Sequence, residues 1–349
     1  MKRILIAFWL LTSLAMGQQE YNLERSQSAD KVDKVKIDCP LGRIYFEPSS
    51  TKEINVYVKK MIYLRDDEEA KELADDIKVD FIEDNRTFEV NVDIPRRRFP
   101  GKRFFSGIFD GRHGDYEIMI KVQLPVGINV DVKTSSADLN IADLKDNDFE
   151  VNGSSSDIMI EYCSGDYSIN VSSGDVEGRT IEGNFNLSGS SSDYELSDIK
   201  GNIKVSTSSG DGIIEKAFGD VNLRSSSGDL RIYNIEGDLV MESTSGDIIA
   251  ENVSGSIDGE STSGTIKLRR LTNIEGRFRT HSTSGNVLLE IAHGFGGEVR
   301  IETVSGEIDS RVDIITRRFS DDYLTGEIGK GIGEIIIETT SGDITLESY

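Results

Sequence analysis

The sequence has few cysteines, prolines and cationic side chains. Only 2 of its 349 residues are Cys and 5 are Pro. Two cysteines cannot build a disulfide scaffold or a cysteine-based zinc site. The 39 Lys and Arg residues face 62 Asp and Glu, which gives a net charge of -23. This balance argues against nucleic-acid binding, because such proteins need cations to displace the counterions of phosphate.

The N-terminal residues predict export. Lys2 and Arg3 precede an apolar run, Ile4–Leu11, and the small residues Ala15 and Gly17 follow it. This pattern is typical of a cleaved signal peptide over residues 1–17, with a retained N-terminal anchor as the alternative. Cleavage would remove two positive charges and no negative one, so the net charge would change from -23 to -25. We therefore expect a periplasmic, cell-surface or extracellular protein, without a transmembrane segment in the mature chain because no later stretch approaches ~20 apolar residues.

A motif of small residues ending in a turn aspartate recurs through the second half of the chain. The aspartates are Asp138, Asp157, Asp175, Asp193, Asp211, Asp229 and Asp247. After a first step of 19 residues, each step is 18. The later equivalents are Thr265, Asn286, Glu307 and Asp343, and the last step of 36 residues is interpreted as two further periods. A second turn lies halfway through each period, at Asp166, Asn184, Asn202, Asp220, Asp238 and Ser256.

Apolar residues recur at fixed positions after each turn aspartate. The first and third positions are mostly apolar, as in Ile248 and Ala250, and so are the tenth and twelfth, as in Val221 and Leu223. A separation of two is the period of a strand with one buried face. The sixth position holds Cys163, Ile181, Ile199, Ala217, Ile235, Val253 and Leu271. One coil cannot bury its apolar face alone, so we predict an all-β solenoid, or β-helix, with two short strands per coil of about 18 residues.

The region before the repeats is less regular. Residues 18–30 are predicted to be a linker, residues 31–133 an irregular β cap, and residues 134–349 the solenoid. Alternating apolar residues predict strands in the cap, for example at Ile54–Val58 and Phe88–Val92. Asp66–Ile77 is predicted to be one short helix, with acidic residues in its first turn. A cap is expected because an uncovered end of a solenoid exposes a strand edge.

The repeated Ser-Ser-Gly-Asp, the Leu-Pro-Val-Gly at 124–127 and the closing Thr-Thr-Ser-Gly-Asp-Ile at 339–344 together resemble a known family. It is the bacterial putative-adhesin family, a domain of unknown function described by such β-strand repeats. The resemblance covers residues 35–349 and implies the repeat fold. It implies a role in adhesion only through the family's name, and no residue with an assigned chemistry is carried over.

The turn aspartates have two main interpretations. Each carboxylate can accept backbone N–H groups inside its own turn. A row of carboxylates can also hold calcium, and the candidates are Asp157, Asp175, Asp193, Asp211, Asp229 and Asp247. Acid–base catalysis is the least favoured interpretation. The preceding hydroxyl residues are Ser172, Ser190, Ser208, Ser226, Thr244 and Thr262. They have no recurring base, because the only histidines, His113, His281 and His293, do not follow the repeat.

A basic and aromatic insertion occupies residues 96–115 of this acidic protein. Its candidate partner-binding residues are Arg96, Arg97, Arg98, Phe99, Lys102, Arg103, Phe104, Phe105, Phe109 and Arg112. Such a segment could engage an anionic polymer, a lipid headgroup or an acidic protein face. The alternative is a plain surface loop between two strands.

Cys163 lies in the apolar sixth-position row and is expected to be buried, and a disulfide with Cys39 is not expected. Together these patterns predict a non-catalytic exported solenoid without a cofactor. It would act as an adhesin or cell-envelope scaffold for an unknown protein or glycan. A regulatory or envelope-stress module that binds its partner through the insertion is the first alternative. A polysaccharide-active enzyme is disfavoured, because no acid–base pair interrupts the repeat.

Overall fold

The computed structural model describes residues 18–94 and 115–349, and it divides into two compact units, Met1–Asp175 and Val176–Tyr349. Both units consist almost entirely of β-strands arranged in coils, which confirms the predicted all-β solenoid. The predicted signal peptide and the ten candidate partner-binding residues of the insertion lie outside the described residues. Within the described part, no helix is long and apolar enough to cross a membrane.

The described residues of the N-terminal unit form twelve strands, one α-helix and one short 3-10 helix at Ala29–Lys31. The strands are β1 Gln19–Ser28, β2 Lys34–Asp38, β3 Leu41–Pro48, β4 Glu53–Ile62, β5 Lys78–Asp84, β6 Thr87–Asp93, β7 Tyr116–Leu124, β8 Asn129–Lys133, β9 Ser136–Ala142, β10 Phe149–Ser155, β11 Ile158–Ser164 and β12 Tyr167–Ser173. They form a first sheet in the order β1-β4-β7-β3-β9-β11 and a second in the order β5-β6-β2-β8-β10-β12.

The helix α1, Asp67–Asp76, confirms the predicted helix. The Asp66 carboxylate caps its first turn by accepting the backbone N–H groups of Glu68 and Glu69. At the other end the buried Lys60 ammonium donates to the carbonyl oxygens of Ala74 and Ile77 at 2.9 and 2.5 Å. Both ends of this short helix are therefore capped by side chains.

Residues 18–30 are not a linker, because Gln19–Ser28 forms β1 and pairs antiparallel with β4 along its whole length. Tyr21 and Leu23 point into the core, where they are 9% and 7% exposed. Only two apolar residues alternate in this strand, which is too weak a pattern to distinguish a strand from a loop. The partner strand β4 supplies the rest of the apolar surface.

The predicted cap is more regular than expected. Its strands β2 and β8 pair in parallel, with Ile37 beside Val132, and β3 and β9 pair in parallel, with Ile44 beside Leu139. The coils therefore begin well before residue 134. The coil of β2 and β3, first in the sequence, lies between the coil of β6 and β7 and that of β8 and β9.

The C-terminal unit contains the remaining strands. They are β13 Val176–Glu182, β14 Phe185–Ser191, β15 Tyr194–Lys200, β16 Ile203–Ser209, β17 Gly212–Ala217, β18 Val221–Ser227, β19 Leu230–Ile235, β20 Leu239–Ser245, β21 Ile248–Val253, β22 Ile257–Ser263, β23 Ile266–Leu271, β24 Arg277–Ser284, β25 Val287–Ile291, β26 Gly297–Ser305, β27 Ile308–Ser310, β28 Ile315–Ser320, β29 Tyr323–Ile328, β30 Gly333–Ser341 and β31 Ile344–Ser348. Up to Leu271 the odd-numbered strands follow one another in the first sheet and the even-numbered strands in the second.

Side chains eighteen residues apart lie directly beside one another in this unit. Ile181 is in register with Ile199, Ile199 with Ala217, Ala217 with Ile235, and Ile235 with Val253. None of these five side chains is more than 1% exposed. The sixth-position row is therefore one continuous file through the core, as the repeat predicts.

Gly212 interrupts the apolar row at the first position, where its neighbours are Tyr194 and Leu230. A Cβ at Gly212 would lie 2.2 Å from the Tyr194 hydroxyl and from its Cζ atom. The large Tyr194 side chain thus fills the space that a side chain at 212 would occupy. The core volume is conserved over two coils rather than within each one.

The order of the last coils differs from the prediction. Strand β30 lies between β24 and β26, and β31 lies between β25 and β27. Asp343 therefore neighbours Asn286 and Glu307, and it is not two periods beyond Glu307 as the sequence suggested. The chain leaves the stack after β25, forms β26 to β29, and returns to insert its C-terminal coil. Gly333 permits this insertion, because a Cβ there would lie 2.7 Å from the ring of the buried Phe295.

Candidate functional site

The repeated Ser-Gly-Asp turns line one side of each unit, and we call this surface the turn ridge. It comprises the exposed hydroxyl row three residues before each turn aspartate and the row of turn aspartates itself. Ala137, Ser156 and Ser192 precede the turn aspartate in three coils, whereas glycine precedes it in the others for two reasons that Gly228 illustrates. Its φ of +121° lies in the left-handed region, and a Cβ would meet the Gly210 carbonyl oxygen at 2.1 Å.

The turn carboxylates form a ladder between coils. Asp193 Oδ1 accepts the backbone N–H of Asp211 at 2.8 Å, Asp211 accepts that of Asp229 at 2.8 Å, and Asp229 accepts that of Asp247 at 2.9 Å. In the N-terminal unit Asp157 likewise accepts the N–H of Asp175 at 2.9 Å. The prediction that each carboxylate bonds within its own turn was wrong, because the acceptor serves the next coil. The aspartates therefore help to hold neighbouring coils in register.

The second turn of each coil uses the same device. Asn184 Oδ1 accepts the backbone N–H of Asn202 at 3.1 Å, and Asn202 Oδ1 accepts that of Asp220 at 3.0 Å. Asp220 and Asp238 continue the ladder to Ser256. Asn and Asp serve equally well, since only one side-chain oxygen is needed as the acceptor. This explains why the halfway turns carry either residue.

The hydrogen bonds of the ladder are accepted by one carboxylate oxygen, Oδ1, of each turn aspartate. Among the described residues, no three His, Cys, Asp or Glu side chains converge as a metal-binding group would require. Burial raises the pKa of Asp138 above its usual range, and repulsion from the Asp157 carboxylate acts in the same direction. Calcium binding by the aspartate row stays a prediction, and calorimetry with calcium chloride is its direct test.

The predicted hydroxyl row is exposed along its length. Its members are Ser172 in the N-terminal unit and Ser190, Ser208, Ser226, Thr244 and Thr262 in the C-terminal unit. In the coil of β26 and β27, Val304 occupies the equivalent position and is 72% exposed. His281, one of the two described histidines, has its Nδ1 atom 3.8 Å from a Glu338 carboxylate oxygen, away from these hydroxyls on the outer face of the sheet. The row offers hydrogen-bonding groups at intervals of about 4.8 Å.

A second hydroxyl row lies inside the core, one residue before the exposed one. Its members are Thr207, Ser225, Ser243, Ser261, Ser282, Thr339 and Thr303, all less than 9% exposed. Ser225 donates to the Ser227 carbonyl oxygen at 3.0 Å, whereas the hydroxyls of Ser243 and Ser261 have no hydrogen-bond partner among the described residues. Sequence reasoning missed this row. The signal was present, because the inward alternation of the tenth and twelfth positions continues to the fourteenth.

The coils up to Leu271 bend at a residue with left-handed backbone, which sequence reasoning also missed. In the C-terminal unit these residues are Thr180, Asp198, Lys216, Asn234, Asn252 and Arg270, with φ between +50° and +62°. They directly precede the sixth-position row. The bend explains how positions three and six can both point inward, although strict alternation would send them to opposite faces.

The two cysteines are free and buried, so the structure agrees with both expectations for them. Cys163 is 3% exposed in the apolar sixth-position row. Burial raises the pKa of the Cys39 thiol to about 12. Neither thiol is placed to react with a ligand on the turn ridge.

A protein-family model and several solved structures are similar to this chain. A family model described as Toastrack DUF4097 matches residues 59–217 and, again, residues 166–347. No curated protein matches the chain. One similar solved structure is described as a putative adhesin from Parabacteroides distasonis, with 12% identity, coverage of 93% of this chain and 96% of the other, and a TM-score of 0.34. A second, described as a putative adhesin from Bacteroides fragilis, has 9% identity, coverage of 94% and 97%, and a TM-score of 0.27. A third, from Parabacteroides distasonis, is described as a putative lipid binding protein, with 16% identity, coverage of 76% and 93%, and a TM-score of 0.31.

Proposed function

Since the chain belongs to the Toastrack DUF4097 family, we propose that it is a non-catalytic, exported scaffold that binds a polymeric partner along the turn ridge. The observation that carries the proposal is the ridge itself. In the C-terminal unit both rows are complete in four consecutive coils, those of Asp193, Asp211, Asp229 and Asp247, and the ladder fixes their backbone. A rigid, repeated row of donors and acceptors suits a ligand that is itself repetitive, such as a glycan chain of the cell envelope.

Multivalency explains how a ridge of weak sites can bind. One hydroxyl and one carboxylate per coil contribute little individually, since each must be desolvated before it bonds to a ligand. A polymer that engages several coils at once gains affinity because the second and later contacts are intramolecular. Binding should therefore rise steeply with the length of the glycan.

The test is a binding measurement on a panel of acidic and neutral glycans of increasing length. Replacement of Ser208, Ser226, Thr244 and Thr262 by alanine removes four exposed hydroxyls, and we expect at least a tenfold loss of affinity. The matched control replaces four outer-face residues of the second sheet by alanine and should bind normally; they are Lys204, Asn222, Val240 and Asp258. Equal binding by the two variants would refute the ridge as the binding surface. The appearance of new reducing ends would instead support the disfavoured alternative, a polysaccharide-active enzyme.

Export is proposed from Lys2, Arg3 and the apolar run Ile4–Leu11. The N-terminal sequence of the protein recovered outside the cytoplasm should begin after Gly17. A protein that retains Lys2 and Arg3 would support the anchor alternative.

The basic and aromatic insertion is the alternative binding element, because its charge opposes that of the chain. Deletion of residues 96–112 separates the two proposals. Loss of partner capture with unchanged glycan binding would favour a regulatory or envelope-stress module. Capture that survives the deletion favours the ridge.

A further inference from the structure

The second sheet of the C-terminal unit ends in an exposed edge strand, β28. Its one partner among residues 18–94 and 115–349 is β29, and Ile315 and Phe319 are 72% and 63% exposed. An edge strand offers unpaired backbone groups to another chain, and large apolar side chains on it are uncommon in a protein that stays monomeric. This edge is therefore open to pairing with a strand of another chain.

The inner face of β28 continues the core surface. Phe319 is in register with Leu324, which is in register with the buried Ile301. Paired residues in a sheet share a face, so the Phe319 ring lies on the core side. The first sheet of this unit ends at the three-residue strand β27, while the second continues through β29 and β28. The described residues therefore leave Phe319 largely uncovered.

The outer face of β28 carries an unpaired cation. Arg318 stacks on the Tyr323 ring, with its guanidinium carbon 4.9 Å from the ring centroid, and has no carboxylate partner among the described residues. Arg317, by contrast, forms ion pairs with Glu298 and Glu327. A bulge between Thr316 and Arg318 removes Arg317 from the pairing register.

A complementary edge exists in the N-terminal unit. Among the described strands, β5 ends the second sheet there and pairs with β6 alone. Val79 and Phe81 face the core side, since they are in register with the buried Val92 and Val90. On the other face lie Asp80 and Ile82, which is 43% exposed. Asp80 has no ion-pair partner in the part of the chain that the structure describes.

We propose that β28 of one copy pairs antiparallel with β5 of a second copy, so that the protein associates through two different edges. With the bulge at Arg317, one register places Phe319 opposite Val79, Arg318 opposite Asp80, Thr316 opposite Phe81 and Ile315 opposite Ile82. Core-side residues then meet core-side residues, and the two unpaired charges meet each other.

Charge excludes the symmetric alternatives. Antiparallel pairing of β28 with itself would bring Arg317 and Arg318 of the two copies together. Like charges directly opposite in a sheet are destabilising. Pairing of β5 with itself in full overlap would place Asp80 opposite Ile82, so Asp80 would again have no cation as its neighbour. The interface is therefore heterologous, and such contacts generate open assemblies when the rotation does not close a ring.

Charge reversal with restoration is the test, by sedimentation velocity of the full chain over a range of concentrations. Arg318→Asp and Asp80→Arg should each weaken association about tenfold or more, since one attractive pair becomes repulsive. An equal mixture of the two variants should associate again, because every contact between one variant and the other joins a carboxylate to a guanidinium. Lys204→Asp and Asp258→Arg make the same charge changes on the central strands β16 and β22, and should associate like the unchanged chain.

Three results would overturn the proposal. They are a chain that stays monomeric up to its solubility limit, single variants that associate like the controls, and a mixture that stays dissociated although each variant melts normally.

The register of the proposed strand pair has its own test. A copy with Ile315→Cys mixed with a copy with Ile82→Cys should form a disulfide-linked dimer under mild oxidation. In the control mixture, the copy with Ile82→Cys is replaced by a copy with Lys78→Cys, four residues away on β5. This mixture should form much less disulfide-linked dimer, and equal yields from the two mixtures would refute the register.

Discussion

The coils between Val176 and Leu271 and those between Arg277 and Ser348 use the same turns and inward positions, but they are stacked differently. In the first region each coil packs on its neighbours in the sequence. In the second, the C-terminal coil of β30 and β31 lies between two coils that precede it in the chain. The N-terminal unit has a similar exception, since its first coil lies between two later ones. A repeat therefore specifies which side chains stack, but it does not specify the order of the coils.

Both exceptions occur where the chain makes an excursion from the stack. Between β25 and β30 the chain forms β26 to β29, and between β3 and β8 its described strands are β4 to β7. In each case antiparallel strands, β29 with β28 and β4 with β1, accompany the excursion. Antiparallel strands therefore end the parallel coil pattern, and β1, β5 and β28 form edges of the sheets.

Disulfide trapping provides the sharpest test of the reordered coils. His281 and Glu338 are register partners, as are Glu302 and Glu338. Neighbouring strands lie about 4.8 Å apart, within reach of a disulfide, whereas His281 and Glu302 would be separated by about twice that distance. We expect His281→Cys with Glu338→Cys to oxidise nearly completely, and His281→Cys with Glu302→Cys to remain reduced. Mass spectrometry without reductant measures whether each disulfide has formed. The buried Cys39 and Cys163 should not interfere. The opposite pattern would show that the coils stack in sequence order, with β24 beside β26.

A buried charge in the inserted coil should have the largest effect on stability. Ile337 is fully buried between Thr280 and Ile301, so Ile337→Asp should lower the free energy of unfolding by about 4 kcal/mol. Its neighbour Ile336 faces outward between Arg279 and Arg300, and Ile336→Asp should be neutral or slightly stabilising. Chemical denaturation measures both. Similar losses in the two variants would show that β30 does not lie between β24 and β26.

Volume compensation between neighbouring coils can be tested at Gly212. A methyl group there overlaps the Tyr194 ring, so Gly212→Ala should cost about 1–3 kcal/mol. In the Tyr194→Leu background the same change should cost much less, because the space is then open. A double-mutant cycle by thermal denaturation gives the coupling energy. Additive effects would contradict the compensation.

The carboxylate ladder should contribute equally in the ordered and the reordered coils. Asp229 accepts the N–H of Asp247, and Asn286 accepts the N–H of Asp343, both at 2.9 Å. Asp229→Ala and Asn286→Ala should each lose about 1 kcal/mol, since each leaves a backbone donor without its acceptor. Asp229→Asn and Asn286→Asp keep the acceptor and should be nearly neutral. A loss confined to Asp229→Ala would show that the ladder does not extend to the inserted coil.

The smallest difference is expected in the buried hydroxyl row. Ser225→Ala should cost about 1 kcal/mol because it removes a hydrogen bond to the Ser227 carbonyl oxygen. Ser243→Ala and Ser282→Ala, one from each region, remove hydroxyls without a partner among the described residues and should be neutral or slightly stabilising. The melting temperatures of the three variants measure these differences in stability. A clear loss in Ser243→Ala would reveal a bond to solvent inside the core.

By itself the sequence determined the coil. The period of 18 residues, the apolar positions and the turn residues predicted the all-β solenoid and the file from Ile181 to Val253. Tertiary structure decided where each coil sits, which residue bends each strand and which coil receives each aspartate's hydrogen bond. Every coil presents the same pattern of apolar side chains and backbone groups to its neighbours, so many stacking orders are nearly equivalent locally. The choice among them depends on single long-range contacts such as that between Gly333 and Phe295, which no period can predict.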